Sequence, residues 1–339
     1  MPSGTFNAIT DVPGVRVGHV TLNHGQGKLV VGKGPVRTGV TAVVPNTDIY
    51  ENQLFAAAES LNGNGEMTGM AWINERGLLE VPIVLTNTLS IGEGYSGVVE
   101  YMLKQSENRV PLPVVAECYD GGLNDIAGRH VKTTHVVQAI ENAVAGPVDE
   151  GSVGAGTGMR AYGFKAGIGT ASRLVPGGYT VGVLVNANCG RRANLMISGA
   201  PVGRDLQGDG PLPARDGSII IVIGTDAPIL PHQLRRLCRR SAFGVTRTGT
   251  VSRTSSGDFA IAFSTAHAIT RSSASQDTVI TLRDDALNGL FQATVEATEE
   301  AILNALCVAK PMVGRDDRAM PALPHGELVV LLRKYGRIK

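Results

Sequence analysis

One tryptophan, 7 phenylalanines and 7 tyrosines in 339 residues leave this chain poor in aromatic surface. That shortage argues against an aromatic-lined binding groove. Cysteine is scarce too. Cys118, Cys189, Cys238 and Cys307 stand far apart, without a CxxC pair or a Cys/His ligand cluster, so neither a metal site nor a disulfide framework is expected. The seven histidines contain no HxH or HxxxH set and read as surface or core residues. A formal net charge of +1, with no basic stripe, gives no footprint for nucleic acid. No apolar run approaches the roughly 18 residues of a spanning helix, so no membrane is expected as a partner. Met1 to Asn7 lack the charged and apolar regions of a signal peptide, which makes the cytoplasm the expected location. No cofactor is implied.

What the chain has instead is glycine, 43 of them, with 43% hydrophobic and 18% charged residues. This composition supports a sizeable core built with tight turns and close backbone approach. Short strand-like runs come in batches: Val15 to Val20, Gly39 to Val44, Val81 to Leu85, Pro113 to Glu117, Ala166 to Ala171, Tyr179 to Val185, Leu195 to Ser198, Ile219 to Ile223 and Phe259 to Phe263. Glu327 to Leu332 reads as a last strand. Apolar residues at helical spacing predict helices over Glu51 to Leu61, Tyr95 to Gln105, Thr133 to Ala145, Pro231 to Arg240 and Asp284 to Leu306. Batches of strands without regular βαβ alternation point to stacked sheets with helices outside. No linker divides residues 1–339, so one domain is expected.

The most informative stretch is Pro211-Leu-Pro-Ala-Arg-Asp-Gly-Ser218, followed by the β-branched run Ile219 to Ile223. A hydroxyl at the mouth of a core strand, directly after glycine, is placed to attack the peptide bond before it. Ser218 would then become a new N-terminus whose own amine serves as base. An ordinary Asp-Gly turn leading into a strand fits the same residues. Asn188, after the Val181 to Val185 run, suits an oxyanion donor and equally a turn cap before Gly190. Ser256 and Asp258 lie two apart, on one face of an extended segment, and fit either a nucleophile's support or a hairpin turn. Ser256 also precedes an apolar run and is a rival nucleophile. Gly151 to Gly158 invites a phosphate-binding reading, but glycine continues past it and no lysine stands where a phosphate loop needs one; it reads as a close-packed loop or edge.

Taken in order, these segments resemble the L-aminopeptidase/D-esterase and β-peptidyl aminopeptidase family of self-processing N-terminal-nucleophile hydrolases. The resemblance runs through Asn7 to His19, Gly63 to Gly69, Pro82 to Asn87, Val114 to Gly121, Gly182 to Asn188, Gly217-Ser218 with Thr225 to Pro228, and Ser256 to Asp258 with Ala262 to Thr265. It implies a four-layered α/β/β/α sandwich, cut between Gly217 and Ser218 into chains 1–217 and 218–339 and assembled as a tetramer of αβ units. It further implies an aminopeptidase or amidase acting on peptides, amides or esters with a free amino terminus. Ser218 would be the nucleophile, Asn188 the oxyanion donor, and Ser256 with Asp258 the supporting pair. Tyr119 would lie near the reacting centre, and Glu117 would receive the substrate amine. A glutamate replaces Asp258 in some members of that family. The alternative is an unprocessed relative of the same fold that binds or assembles without catalysis.

Overall fold

The computed structural model describes residues 1–105, 109–206, 217–271 and 274–339. The chain begins with an antiparallel hairpin of β1 (Arg16–His24) and β2 (Val36–Val44). Next come β3 (Asn52–Gly63), α1 (Met70–Arg76) and the two-residue β4 (Leu78–Leu79). Two parallel strands, β5 (Ile83–Asn87) and β6 (Val114–Cys118), flank α2 (Ile91–Leu103). α3 (Thr133–Glu141) precedes a small ribbon of β7 (Arg160–Ala161) and β8 (Phe164–Lys165). β9 (Ile168–Val175), β10 (Tyr179–Ala187) and β11 (Ile219–Thr225) follow, then α4 (Pro231–Arg247) and β12 (Gly257–Thr270). α5 (Asn288–Val308), a ribbon of β13 (Met312–Val313) and β14 (Ala319–Met320), and α6 (His325–Lys334) complete the chain.

The strands form two principal sheets, ordered β1-β2-β5-β6 and β4-β3-β12-β11-β10-β9. α2 and α3 cover the first sheet, and α4 and α5 cover the second. The result is a four-layered α/β/β/α sandwich. The unbroken run Ile219 to Ile223 follows from that layering. Ile220 and Val222 face the other sheet, whereas Ile219, Ile221 and Ile223 face α4 and α5. With both faces covered, a strand has no polar side to show. Each such side chain contributes on the order of 1.5–3 kcal/mol on burial.

Three expectations are corrected here. Glu51 to Leu61 is not a helix but the core of β3. Leu54, Ala56 and Ala58 alternate toward the inter-sheet core, and Ala57 turns to the α4 side. Alanine favours helix on its own, but pairing with β12 and close cover by α4 outweigh that propensity. Glu327 to Leu332 lies in α6, where the buried residues Leu328 and Leu331 stand three apart. A short apolar run cannot separate the two states by periodicity. Leu195 to Ser198 forms only an isolated bridge, Ile197 to Ala200.

The glycine-rich segment is a packed loop, as its composition suggests. Its backbone N–H groups are already engaged: Gly154 donates to Thr21 Oγ1 at 2.8 Å, Ala155 to Thr41 Oγ1 at 3.1 Å, and Gly156 to the Val153 carbonyl at 2.8 Å. None of these is left to cradle a phosphate. The same loop is tied from below by Lys165, fully buried, whose Nζ donates to the carbonyls of Gly156, Met159 and Ala166 at 3.1, 2.7 and 2.6 Å. Burial pushes the Lys165 ammonium down to about 7.

Candidate active site

Five strand ends meet at one end of the sandwich: the ends of β3, β6 and β10 and the beginnings of β11 and β12. Antiparallel pairing of β10 with β11 sets Ala187 opposite Ile219, and one step outward the Asn188 N–H donates to the Ser218 carbonyl at 3.0 Å. Parallel pairing of β11 with β12 sets Ile219 beside Asp258, and one step outward the Gly257 N–H donates to Ser218 Oγ at 3.1 Å. Ser218 is buried and has the parity of Ile220 and Val222, so its hydroxyl points between the sheets. The turn expected through Asp216 lies outside the described residues.

This convergence requires backbone to lie against backbone. A Cβ on Gly217 would overlap the Asn188 carbonyl and stand 2.6 Å from Asn188 Nδ2. A Cβ on Gly257 would lie 2.5 Å from the Asn64 carbonyl oxygen. Glycine at these two places is a condition of the strands closing on Ser218, independent of torsional freedom.

Asn188 is oriented by its neighbours. Its Oδ1 accepts the Arg160 N–H at 3.0 Å, and its Nδ2 donates to the Tyr119 carbonyl at 3.0 Å. An amide nitrogen carries two hydrogens, so one remains for an oxygen placed beside Ser218. Ser256 Oγ donates to Asp258 Oδ2 or to the Arg253 carbonyl, both at 3.0 Å. The shorter acid therefore reaches the serine without a glutamate's extra methylene. Asn62 completes this group. Its Nδ2 lies 2.9 Å from Ser256 Oγ, 2.8 Å from the Ser256 carbonyl and 2.6 Å from the Arg253 carbonyl. An amide can only donate there, which turns the Ser256 hydroxyl hydrogen toward an acceptor.

Glu117, at the end of β6, is buried. The Glu66 N–H donates to its Oε1 at 3.2 Å, and the Thr88 hydroxyl donates to Oε2. A Cβ on Gly65 would come within 2.8 Å of Oε1 and 3.2 Å of the Gly257 Cα, so the acid and the nucleophile share one wall. Burial raises the Glu117 carboxyl above its ordinary range, and the two hydrogen bonds pull it part of the way back. Two donors leave carboxylate lone pairs open for an ammonium group. Tyr119 contributes its carbonyl to Asn188, and its side chain is half exposed.

Cys118 and Cys189 are buried and not joined in a disulfide. Cys118 Sγ donates to the Asn186 carbonyl at 3.5 Å, and burial, with Glu117, Asp258 and Cys189 nearby, holds its thiol well above the ordinary range. It is a packed neutral thiol. Among the described residues no group of three His, Cys, Asp or Glu side chains is arranged to hold a metal ion, and no helix is long and apolar enough to cross a membrane. Of the residues that gather here, Asn62 and the Gly257 N–H escape sequence reasoning. Asn62 sits just before the Gly63 to Gly69 segment, which is the signal that pointed nearest to it.

Residues 7–320 match Peptidase family S58. A β-peptidyl aminopeptidase, BapA, of Sphingosinicella microcystinivorans is 47% identical over 99% of this chain and 90% of its own length. The PH0078 protein of Pyrococcus horikoshii superposes with a TM-score of 0.95 at 48% identity, covering 99% of this chain and 96% of that one. The L-aminopeptidase D-Ala-esterase/amidase of Ochrobactrum anthropi, described as a prototype serine aminopeptidase and a variant of the N-terminal-nucleophile hydrolase fold, superposes at 0.93 with 42% identity, covering 100% and 96%. Matched over residues 7–320 and superposed almost end to end, the chain belongs to peptidase family S58 and is an aminopeptidase with the N-terminal-nucleophile hydrolase fold.

Proposed function

We propose that the chain cuts its own Gly217–Ser218 bond and thereafter works as an aminopeptidase through the new N-terminal serine. Its substrates are peptides, amides and esters with a free amino terminus, N-terminal β-amino residues among them. The observation that supports this most is the Ser218 hydroxyl, fixed by the Gly257 N–H, with Asn188 paired across from it at the same strand ends. In processing, Ser218 Oγ adds to the Gly217 carbonyl and the acyl group shifts from nitrogen to oxygen. Water then cleaves the ester, giving chains 1–217 and 218–339. The freed amine, with a reference pKa of about 7.7, takes the hydroxyl proton when Oγ attacks a substrate. That proton passes to the leaving amine or alcohol, and a second water releases the acyl group.

Ser256 accepts from Asn62 and donates to Asp258 or Arg253, which leaves one lone pair to orient the protonated Ser218 amine. Asn62 is thus a positioning residue. Asn62→Ala should lower kcat about 10-fold with little change in KM, because it frees a hydrogen bond of about 1–1.5 kcal/mol. A steady-state comparison in which KM rises and kcat holds would argue against it. Acceptance of β-amino residues is supported by the β-peptidyl relative at 47% identity. The assembly kept from the sequence is a tetramer of αβ units in the cytoplasm, measurable for its size by light scattering.

Intact mass under denaturing conditions tests the reading as a whole. Fresh, active protein should give two fragments, the smaller beginning at Ser218. A single intact chain would favour an unprocessed binding protein, and a cut before Ser256 would move the nucleophile.

Glu117 carries the amine specificity in this reading. Glu117→Gln should cut kcat/KM for free-amine substrates about 100-fold while costing N-acylated analogues less than about 3-fold, since a charge-assisted pair is lost only in the first case. Burial raises this carboxyl, so wild-type kcat/KM for free amines should fall as pH drops through that raised value, where the carboxylate gains its proton. Equal losses on both substrate types would remove Glu117 from the role.

A further inference from the structure

Arg160 places its N–H on Asn188, but among the described residues no carboxylate pairs with its guanidinium. It is half-buried at the start of β7 and lies along Gly122, where a Cβ would come within 2.6 Å of Cζ. Among the described residues it makes no ion pair. The charged groups around it do not neutralise it. Arg318 is a second cation in its field, and Tyr119 lies close by. Asp120 is buried and engaged with Asn124 at 3.0 Å, and burial pushes its carboxyl up to about 7. Asp316 lies 3.6 Å from both Arg315 and Arg318. A half-buried guanidinium beside another cation is stabilised when an anion comes to it.

Its place in the site says where that anion comes from. Contacts run in order from Glu117 to Gly65, Gly257, Ser218, Asn188 and Arg160. The amine-binding acid and the Arg160 backbone therefore stand at the two ends of a line of contacts that passes through the nucleophile and its oxyanion donor, and the guanidinium lies along Gly122, three residues past Tyr119. Glu117 and Tyr119 are two residues apart, roughly 7 Å in extended chain. A substrate with its ammonium at Glu117 and its carbonyl at Asn188 would send its leaving portion toward Tyr119 and Arg160. The loop carrying Arg160 is held by Lys165 through the Met159 carbonyl, so the cation is mounted on a fixed support.

We propose that Arg160 binds the free α-carboxylate of the leaving portion, so that the enzyme selects short peptides with an uncapped C-terminus over their amides. The inference rests on the aminopeptidase reading at Ser218. Guanidinium and carboxylate match as a fork with two parallel hydrogen bonds, which an amide cannot reproduce.

The test compares kcat/KM for pairs of di- and tripeptides differing only in a C-terminal carboxylate or carboxamide. Wild-type enzyme should favour the acid at least 10-fold for one length. Arg160→Met should bring that ratio to within about 2-fold of unity, and Arg160→Lys should restore part of it. The ratio is the readout, because a merely structural role would lower both members alike. A wild-type ratio near one at both lengths, or a preference that survives in Arg160→Met, overturns the proposal. Calorimetric binding of a free amino acid against its amide to processed wild-type protein needs neither variant nor turnover. Binding of the acid at least 10-fold tighter supports Arg160 even if peptide turnover fails, and equal binding overturns it. Absence of turnover for every free-amine substrate would instead count against the aminopeptidase reading.

Discussion

Ser218→Ala is expected to yield one uncut chain of 339 residues with peptidase activity reduced at least 10⁴-fold. Both losses have the same origin. Removing Oγ deletes the atom that attacks the Gly217 carbonyl, so the Ser218 amine that would serve as base is never released. The residual rate reflects binding and oxyanion stabilisation, which in serine hydrolases survive loss of the nucleophile as a modest enhancement over water. Folding should be little affected. The strand pairing at this point uses the Ser218 carbonyl and the Asn188 N–H, both retained in the variant, and among the described residues the bond lost is from Gly257 N–H to Oγ. Circular dichroism and intact mass on the same sample separate misfolding from failed chemistry. A correctly folded Ser218→Ala protein that still splits before residue 218 would overturn the mechanism. One that splits elsewhere would redirect attention to Ser256, whose hydroxyl is already held by Asn62, Asp258 and the Arg253 carbonyl.

How much of this was legible beforehand depends on what carries the information. The run Ile219 to Ile223 is β-branched throughout, which favours strand over helix, and among strands only one covered on both faces tolerates five apolar residues in succession. Ser218, Asn188, Ser256 and Asp258 stand out as polar side chains at strand mouths, and the sheet pairing brings them together. The helix expected over Glu51 to Leu61 failed for a physical reason: its alanines are needed small by neighbours far away in sequence, and local propensity does not contain those neighbours. Glu327 to Leu332 failed in the opposite sense, since five apolar residues satisfy either period. The Gly257 N–H, the Arg160 N–H and the Tyr119 carbonyl were beyond reach altogether. Every residue has such groups, so nothing in a side-chain pattern marks the ones that point at a nucleophile. Arg160 is the sharpest case. Its side chain is one arginine among many in the sequence, and only the fold shows it beside Tyr119 with no acid paired to it among the described residues.

That backbone framework leads to the second large effect. Asn188→Ala should lower kcat about 10²–10³-fold with KM nearly unchanged, because the amide acts on charge that develops only as the carbonyl becomes tetrahedral. The geometry makes the amide preorganised: Oδ1 is held by the Arg160 N–H, one Nδ2 hydrogen by the Tyr119 carbonyl, and the other has no partner among the described residues, with Nδ2 lying against Gly217. The same donor would serve the tetrahedral species formed at Gly217 during processing, so maturation should slow as well. Asn188→Asp offers a sharper contrast. A carboxylate still accepts from the Arg160 N–H but places negative charge against both the oxyanion and the Tyr119 carbonyl, so it should fall below Asn188→Ala in kcat despite its closer shape. Single-turnover rates on purified, fully processed variants measure the chemical step, and a time course of chain splitting measures maturation. Full kcat in Asn188→Ala, or an Asn188→Asp variant faster than alanine, would show that the free amide hydrogen does not face the reacting oxygen. The pairing of Asn188 N–H with the Ser218 carbonyl would then be its whole contribution, a strand clasp that sets the nucleophile in place and leaves the charge to another donor.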